Sequence, residues 1–219
     1  MKTVVFGTTE YSEYVYYTML AEGINNIVAF TMTSEYKNKD IFCNLPVIDF
    51  EDLDSIITDP FEILITVGYP KMNKGRERVY HLCKEKGYKV GSYISNRAIC
   101  DSDNIGEGCI IMPRAFIAPC TQIGICNIIS TDSSIGHTST VGDFNWFSGN
   151  VTTAGDVTIG SRCFFGINSL ICNNVKIADE TLVGVCSYVA KDTKPGLAYM
   201  GMPAKNKNKM KSDIVIDFV

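Results

Sequence analysis

Starting at Ile99 and stepping six residues at a time, the chain passes through Ile105, Ile111, Ile117, Ile123, Ile129, Ile135, Val141, Phe147, Thr153, Ile159, Phe165, Ile171, Ile177, Val183 and Val189. Fifteen of these sixteen positions hold a large apolar side chain, and Thr153 is the exception. Chance does not produce such a run when about half of all residues are apolar. The next position is often glycine or alanine, as at Gly106, Gly124, Gly136, Gly142, Gly160 and Gly184. Four places after each apolar position, from Cys109 to Ser187, every residue is small or medium-sized. A hexapeptide period of this kind marks a parallel β-helix, in which each unit is one short strand and a corner. The large side chain fills a narrow prism, the small one fits near the next corner, and the glycine is expected to relieve the corner backbone. Each unit stacks on the one three units later. Such coils cannot bury their faces alone, so they stack and tend to associate.

Residues 1–95 follow a different pattern. "KTVVFG" reads as a β-branched strand, and Glu10 to Glu22 as a helix with Tyr11, Val15 and Met19 on one face and Gly23 at its end. "NIVAFTM", "LPVIDFEDL" and "FEILITVG" supply further strands around a helical segment, "KMNKGRERVYHLCKEKG" is a helix closed by Gly87, and "YKVGSYI" is a last strand. Strand–helix alternation predicts a small parallel, Rossmann-like α/β domain, whose ligands bind at the carboxyl ends of the strands. The candidate substrate-binding residues there are Gly7, Thr8, Thr9, Thr33, Gly68, Tyr69 and Lys74. Lys71, Lys74 and Arg76 either meet phosphates or form a solvated helix face. The first loop, "GTTEYS", lacks the G-x-G-x-x-G fingerprint, which argues against NAD, yet a loop feeding a helix N-terminus can hold a phosphate. The expected organisation is an α/β domain at 1–95, a β-helix at 96–205 and a tail at 206–219. The tail, lysine-rich and then apolar, is either an extra strand or a contact between copies.

The chain has 219 residues and a formal net charge of −4, without a basic stripe interleaved with aromatics, so nucleic acid is not an expected partner. The apolar run near the N-terminus is too short for a signal peptide or a membrane span. Nine cysteines without a C-x-x-C pair read as reduced thiols of a cytoplasmic protein, mostly small core fillers, and no metal site is expected.

His137 is one of two histidines in the chain and the one in the repeat region. It falls two places past an inward position and projects outward near a corner, with Pro119 one coil before it and Gly155 one coil after. Imidazole is the side chain suited to proton transfer near neutral pH, and a glycine beside it leaves a shelf on which a ligand can approach closely.

The stretches "DSSIGHTSTVGDF", "GNVTTAGDVTIGSRCFFGINSLI" and "GMPAK", together with the α/β domain before them, resemble the NeuD/PglD-type bacterial sugar acetyltransferases. The resemblance implies a left-handed β-helix in a homotrimer, with acetyl-CoA lying between neighbouring prisms and a nucleotide-linked amino sugar held by the α/β domain. It implies that His137 is the catalytic base in a direct transfer. Gly155 would offer its N–H to the thioester carbonyl, Ile167 and Val185 would line the pantetheine groove, and Lys205 would lie near the CoA phosphates. Polysaccharide or glycan biosynthesis is the implied setting. The chain departs from the family at Thr138, where Asp or Glu usually follows the histidine. It departs again at Trp146, where members often carry a second histidine in the CoA groove, and at Ser130, where Asn is common. Thr138 can orient the base only by hydrogen bonding. The alternatives are a sugar O-acetyltransferase and a non-catalytic nucleotide-sugar-binding module. A β-helix carbonic anhydrase is excluded because it needs three histidines at zinc.

Overall fold

The computed structural model describes residues 1–216; the last three residues of the predicted tail lie outside the described residues. The chain divides into two compact units, Met1–Gly68 with Arg78–Ser92, and Tyr69–Glu77 with the chain from Tyr93 onward.

The first unit is a six-stranded sheet of β1 (Lys2–Phe6), β2 (Ile27–Met32), β3 (Ile41–Phe42), β4 (Leu45–Asp49), β5 (Phe61–Ile65) and β6 (Lys89–Val90), in the order β3-β4-β2-β1-β5-β6. All pairs are parallel except β3–β4. Val4, Val5, Phe30, Ile63 and Ile65 are buried, as expected of a sheet covered on both faces. Helix α1 (Glu10–Ala21) starts from a capping box in which Thr9 and Ser12 each take the other's backbone N–H. It buries Val15 and Met19, and Gly23 beyond it takes φ +79°. "LPVIDFEDL" forms β4, a single 3₁₀ turn at Phe50–Asp52 and the start of α2 (Leu53–Ile56). The chain leaves β1 toward β2 and β4 on one side and returns to β5 on the other. The carboxyl ends of β1 and β5 therefore flank the topological switch point. "YKVGSYI" is two strands rather than one: β6 ends at Val90, and Tyr93–Ile94 pairs with Ile110–Ile111 in the second unit.

The second unit is a left-handed parallel β-helix of two-residue strands. Its three faces run from Tyr93–Ile94 to Leu182–Val183, from Ile99–Cys100 to Tyr188–Val189, and from Gln122–Ile123 to Lys176–Ile177. Ile117 pairs with Ile135 and Val141 with Ile159, so the pairing is coil on coil. From Ile105 to Val189 the inward column forms one continuous core, in which the Phe147 and Phe165 rings stack with centroids 4.5 Å apart and planes 5° apart, whereas Ile99 is 58% exposed because Cys100 is the residue that pairs with Ile117 and packs on that core.

The glycines after the apolar column do not serve the corner torsions. The left-handed corner residue falls two places later and, beyond Gly108, is not glycine: every sixth residue from Arg114 to Cys186 has φ between 51° and 62°. The glycines are needed for close approach instead. A Cβ on Gly124 would sit 2.7 Å from the Gly142 carbonyl oxygen and 2.2 Å from Asp143 Oδ1, and one on Gly142 would sit 2.8 Å from Gly160.

The final coil is capped by Leu197–Met200, which pairs with Leu182–Val183, and by Lys205–Lys211, which runs antiparallel to it. A helical turn, Ser212–Val215, follows, with Ile216 buried. The described part of the tail is thus an added strand and a turn.

Candidate functional site

His137 lies in the corner between the second and third faces, exposed to solvent. Its main chain is held by both neighbouring coils: Thr138 N–H donates to Pro119 O at 3.2 Å, and Asp156 N–H donates to His137 O at 2.9 Å. The imidazole lies against Gly155. A Cβ built there would fall 2.4 Å from Cε1 and from Nε2, and 3.0 Å from Cδ2. Only a residue without a side chain lets the ring occupy that place. At the other edge, His137 Nδ1 is 3.1 Å from Thr138 Oγ1. Thr138 takes φ 60°, a costly conformation for a β-branched residue.

The main-chain amides of this corner differ from those of the corner between the third and first faces. There, Ile125 N–H donates to Asp143 Oδ1, Asp143 N–H to Ser161 Oγ, and Ser161 N–H to Asp179 Oδ1, closing the amides with side chains from the next coil. At the histidine corner, nothing among the described residues accepts from the Gly155 N–H. This corner thus sets an open amide and an imidazole side by side.

The other predicted residues are dispersed. Ile167 and Val185 are 47% and 53% exposed and stand one coil apart, beyond Gly149, whose added Cβ would touch Ile167 Cδ1 at 3.7 Å. They lie at the corner between the first and second faces, so one prism does not bring them to His137. Trp146, expected in the same groove, is buried on the first face under Tyr69, with ring centroids 5.0 Å apart, and donates Nε1–H to Ser148 Oγ. Lys205 is exposed at the start of the added strand. Lys74 does not offer a free ammonium: it pairs with Glu180 at 3.1 Å, and Arg162 bridges Glu180 to Glu77. Burial alone would raise the Glu180 carboxyl, but the hydrogen bonds from Lys74 and Arg162 outweigh it and hold the group below its ordinary value.

In the first unit, Gly7, Thr8 and Thr9 follow β1, Thr33 follows β2 and Gly68 lies three residues past the end of β5, so all lie at the carboxyl ends of the strands. Gly7 has φ +133°, and a Cβ there would meet Thr66 Oγ1 at 2.6 Å and Ser12 Oγ at 2.7 Å. Thr66 Oγ1 is in turn 2.8 Å from Ser12 Oγ. Ser12 and Thr66 complete this hydroxyl cluster, and their signal was their place, at the first helical turn and just past a strand end. Thr33 opens onto a cavity lined by Phe50, Glu51, Leu82, Glu85 and Lys86.

Arg76 is neither a phosphate ligand nor part of a solvated face. It is fully buried, donating to the carbonyls of Cys126 (3.0 Å), Phe144 (2.8 Å) and Asn145 (3.1 Å) and to Asn73 Oδ1 (3.0 Å). Asn73 reaches Cys163 O at 3.0 Å. Lys71, Met72 and Asn73 all have positive φ, which turns the segment onto the corner carbonyls. Among the described residues, no group of three or more His, Cys, Asp or Glu could hold a metal ion, and no helix is long and apolar enough to cross a membrane.

No protein-family profile matches the chain. Among curated proteins, it is similar to the bifunctional protein GlmU of Campylobacter fetus subsp. fetus (strain 82-40), 32% identical over 129 residues that make up 52% of this chain and 29% of that protein. GlmU of Clostridium kluyveri (strain NBRC 12016) is 34% identical over 101 residues, 46% of this chain and 22% of that protein. The chain thus spans less than a third of the length of these curated relatives. Among solved structures, a histidine-to-asparagine mutant of perosamine N-acetyltransferase from Caulobacter crescentus, in complex with CoA and GDP-perosamine, superposes with a TM-score of 0.84 at 22% identity, covering 94% of this chain and 97% of that one. The acetyltransferase domain of PglB from Neisseria gonorrhoeae FA1090, in complex with acetyl coenzyme A, gives 0.82 at 20% identity over 94% and 98%. WeeI from Acinetobacter baumannii AYE gives 0.84 at 20% identity over 94% and 100%. These likenesses establish the fold of both units.

Proposed function

We propose that the chain is an acetyl-CoA-dependent N-acetyltransferase acting on a nucleotide-linked amino sugar, with His137 as general base. The observation that carries this reading is the His137 imidazole seated over Gly155, beside an amide with no acceptor in the described chain. The corner belongs to a fold shared with a sugar N-acetyltransferase crystallised, as a histidine mutant, with CoA and GDP-perosamine.

Acetyl-CoA, when bound, supplies an acetyl group activated as a thioester. The chain's own residues account for the rest. A base at Nε2 needs its proton on Nδ1, and Thr138 Oγ1 at 3.1 Å accepts that hydrogen. Nε2 would then take the proton that the sugar amine sheds as its N–C bond to the acetyl group forms, and would return it to the sulfur as the thioester C–S bond breaks and CoA leaves as the thiol, a contribution of about 10²–10⁴ in rate. The Gly155 N–H stabilises the developing oxyanion, and losing such a donor typically costs about 10²–10³ in kcat. No covalent enzyme intermediate is needed. The exposed Ile167 and Val185 fit the apolar pantetheine arm, and Lys205 fits the CoA phosphates. Because these apolar residues and His137 occupy different corners of one prism, the reading includes a homotrimer in which one copy's groove faces the next copy's base. In the first unit, Gly7, Thr8, Thr9, Thr33 and Gly68 would contact the nucleotide-sugar. The setting is cytoplasmic glycan or polysaccharide biosynthesis.

The test is thiol release from acetyl-CoA against a panel of nucleotide-linked amino and deoxy sugars, for wild type and His137→Ala. Release with an amino sugar, reduced about 10²-fold or more in the variant, is expected. Equal release by the variant removes His137 from the chemistry. Release with a hydroxyl acceptor alone makes the enzyme an O-acetyltransferase. Tight nucleotide-sugar binding without release makes it a binding module.

A further inference from the structure

The inward column carries one hydroxyl, at Thr153, and it bonds to the residue beside His137. In this fold, the N–H after an inward residue normally donates to the carbonyl of the inward residue one coil later. Gly124 donates to Val141 O, Gly142 to Ile159 O, Gly160 to Ile177 O, Ala118 to Ile135 O and Ala154 to Ile171 O, all between 2.8 and 3.0 Å. Gly136 departs from this rule. Its N–H donates to the Thr153 side-chain Oγ1 at 3.0 Å instead. The strand pairing records the same break: Ser134 pairs with Thr152 alone, whereas the neighbouring ladders pair two residues each. Thr153 is 3% exposed, so its hydroxyl is a buried polar group that finds its acceptor role in this one amide. On its other side, the Gly136 carbonyl accepts from Thr121 Oγ1 at 3.0 Å, and Thr121 is fully buried. The Gly136 peptide, which delivers the chain into His137, is thus held between two interior hydroxyls, one from each adjacent coil.

We propose that Thr153 is a positioning residue for His137, taking the Gly136 N–H off its ladder carbonyl so that the chain enters His137 with the imidazole over Gly155. The proposal rests on the general-base reading of His137. Valine at 153 matches threonine in shape and completes the apolar column, but it returns the Gly136 N–H to the ladder carbonyl and carries the histidine backbone with it.

The experiment compares Thr153→Val, Thr153→Ala and Thr153→Ser by thiol-release kinetics, by melting temperature, and by long-range ¹H–¹⁵N spectra of the two imidazoles with His81 as internal reference. Thr153→Val is expected to melt at or above the wild-type temperature and to lose about tenfold or more in kcat. Its KM for acetyl-CoA should be unchanged and its His137 ring signals displaced. Thr153→Ala should show the same displacement, and Thr153→Ser should restore both kcat and the ring signals. Wild-type kcat in Thr153→Val, or His137 signals that do not move in either hydroxyl-free variant, overturns the proposal. If wild type turns over no acceptor, the spectra still decide. Displaced signals uphold the positioning role while the transferase reading fails, and unmoved signals sink the positioning role by itself.

Discussion

Replacing Gly155 by alanine separates the position of the His137 ring from every other feature of the corner. The added Cβ would stand 2.4 Å from both Cε1 and Nε2, and the three nearest atoms it meets all belong to that ring. Ordinary non-bonded contact needs about 3.5–4.0 Å, so the imidazole must retreat by about 1 Å or more. His137 is exposed, and its side chain can swing outward at an order of 0.5–1.5 kcal/mol for an off-rotamer angle. The fold should therefore lose about 1.5 kcal/mol at most. The catalytic cost is larger, because a misplacement of about 1 Å costs about 10²-fold. The Gly155 N–H survives the substitution, so a loss of rate reports on the base rather than on the donor. The assay is kcat for thiol release with the best nucleotide-linked amino sugar, beside thermal melting. Gly155→Ala is expected to lose about a hundredfold in kcat with a melting temperature within a few degrees of wild type. Adding the same change to His137→Ala should cost nothing further, since the clash has gone. Wild-type kcat in Gly155→Ala refutes the argument, because it would mean that chemistry does not need the ring where the structure places it.

Arg76→Met removes the guanidinium hydrogen bonds to the carbonyls of Cys126, Phe144 and Asn145, and at about 1.5–3 kcal/mol per hydrogen bond to a charged group the protein should lose about 3 kcal/mol or more in chemical denaturation. Arg76→Lys should not rescue it, because one ammonium cannot span the donors' fork. Because the Glu180 carboxyl is held below its ordinary value, its stabilising contribution is full above the unfolded-state range near pH 4.3 and is lost as pH falls through the folded value. Glu180→Gln should flatten the acid limb of a stability–pH profile, and an unchanged limb would show that the pair with Lys74 and Arg162 carries no linkage. Thiol titration at pH 8 should find Cys120 and Cys186 reactive in the native protein, while Cys83 and Cys163, pushed by burial to about 12, and Cys109, pushed to about 11, stay silent until unfolding.

Periodicity made the β-helix legible because the inward column is a packing requirement repeated coil after coil. The same period, read one residue earlier, also held the fate of Trp146. Ile110, Ile128, Trp146, Phe164 and Leu182 precede the inward residues of a single face and are all buried. On the third face the same register carries Gln122, Thr140, Thr158 and Lys176, which are exposed. A face apolar on both sides of its strands must be covered, so Trp146 belonged to a covered face rather than to an open groove. What covers part of it was not legible. The turn at Lys71–Asn73 needs three successive left-handed residues and contains no glycine, and Arg76 looks like any helix-surface cation until its carbonyl partners are in place. The candidate site lies where the pattern breaks rather than where it holds. Thr153 interrupts the apolar column, and Gly155 leaves an amide open where the corresponding amides of another corner are closed by side chains. A sequence period reports what packing demands, so a departure that packing does not demand, and that a buried hydroxyl then exploits, is where the chemistry of this chain should be sought.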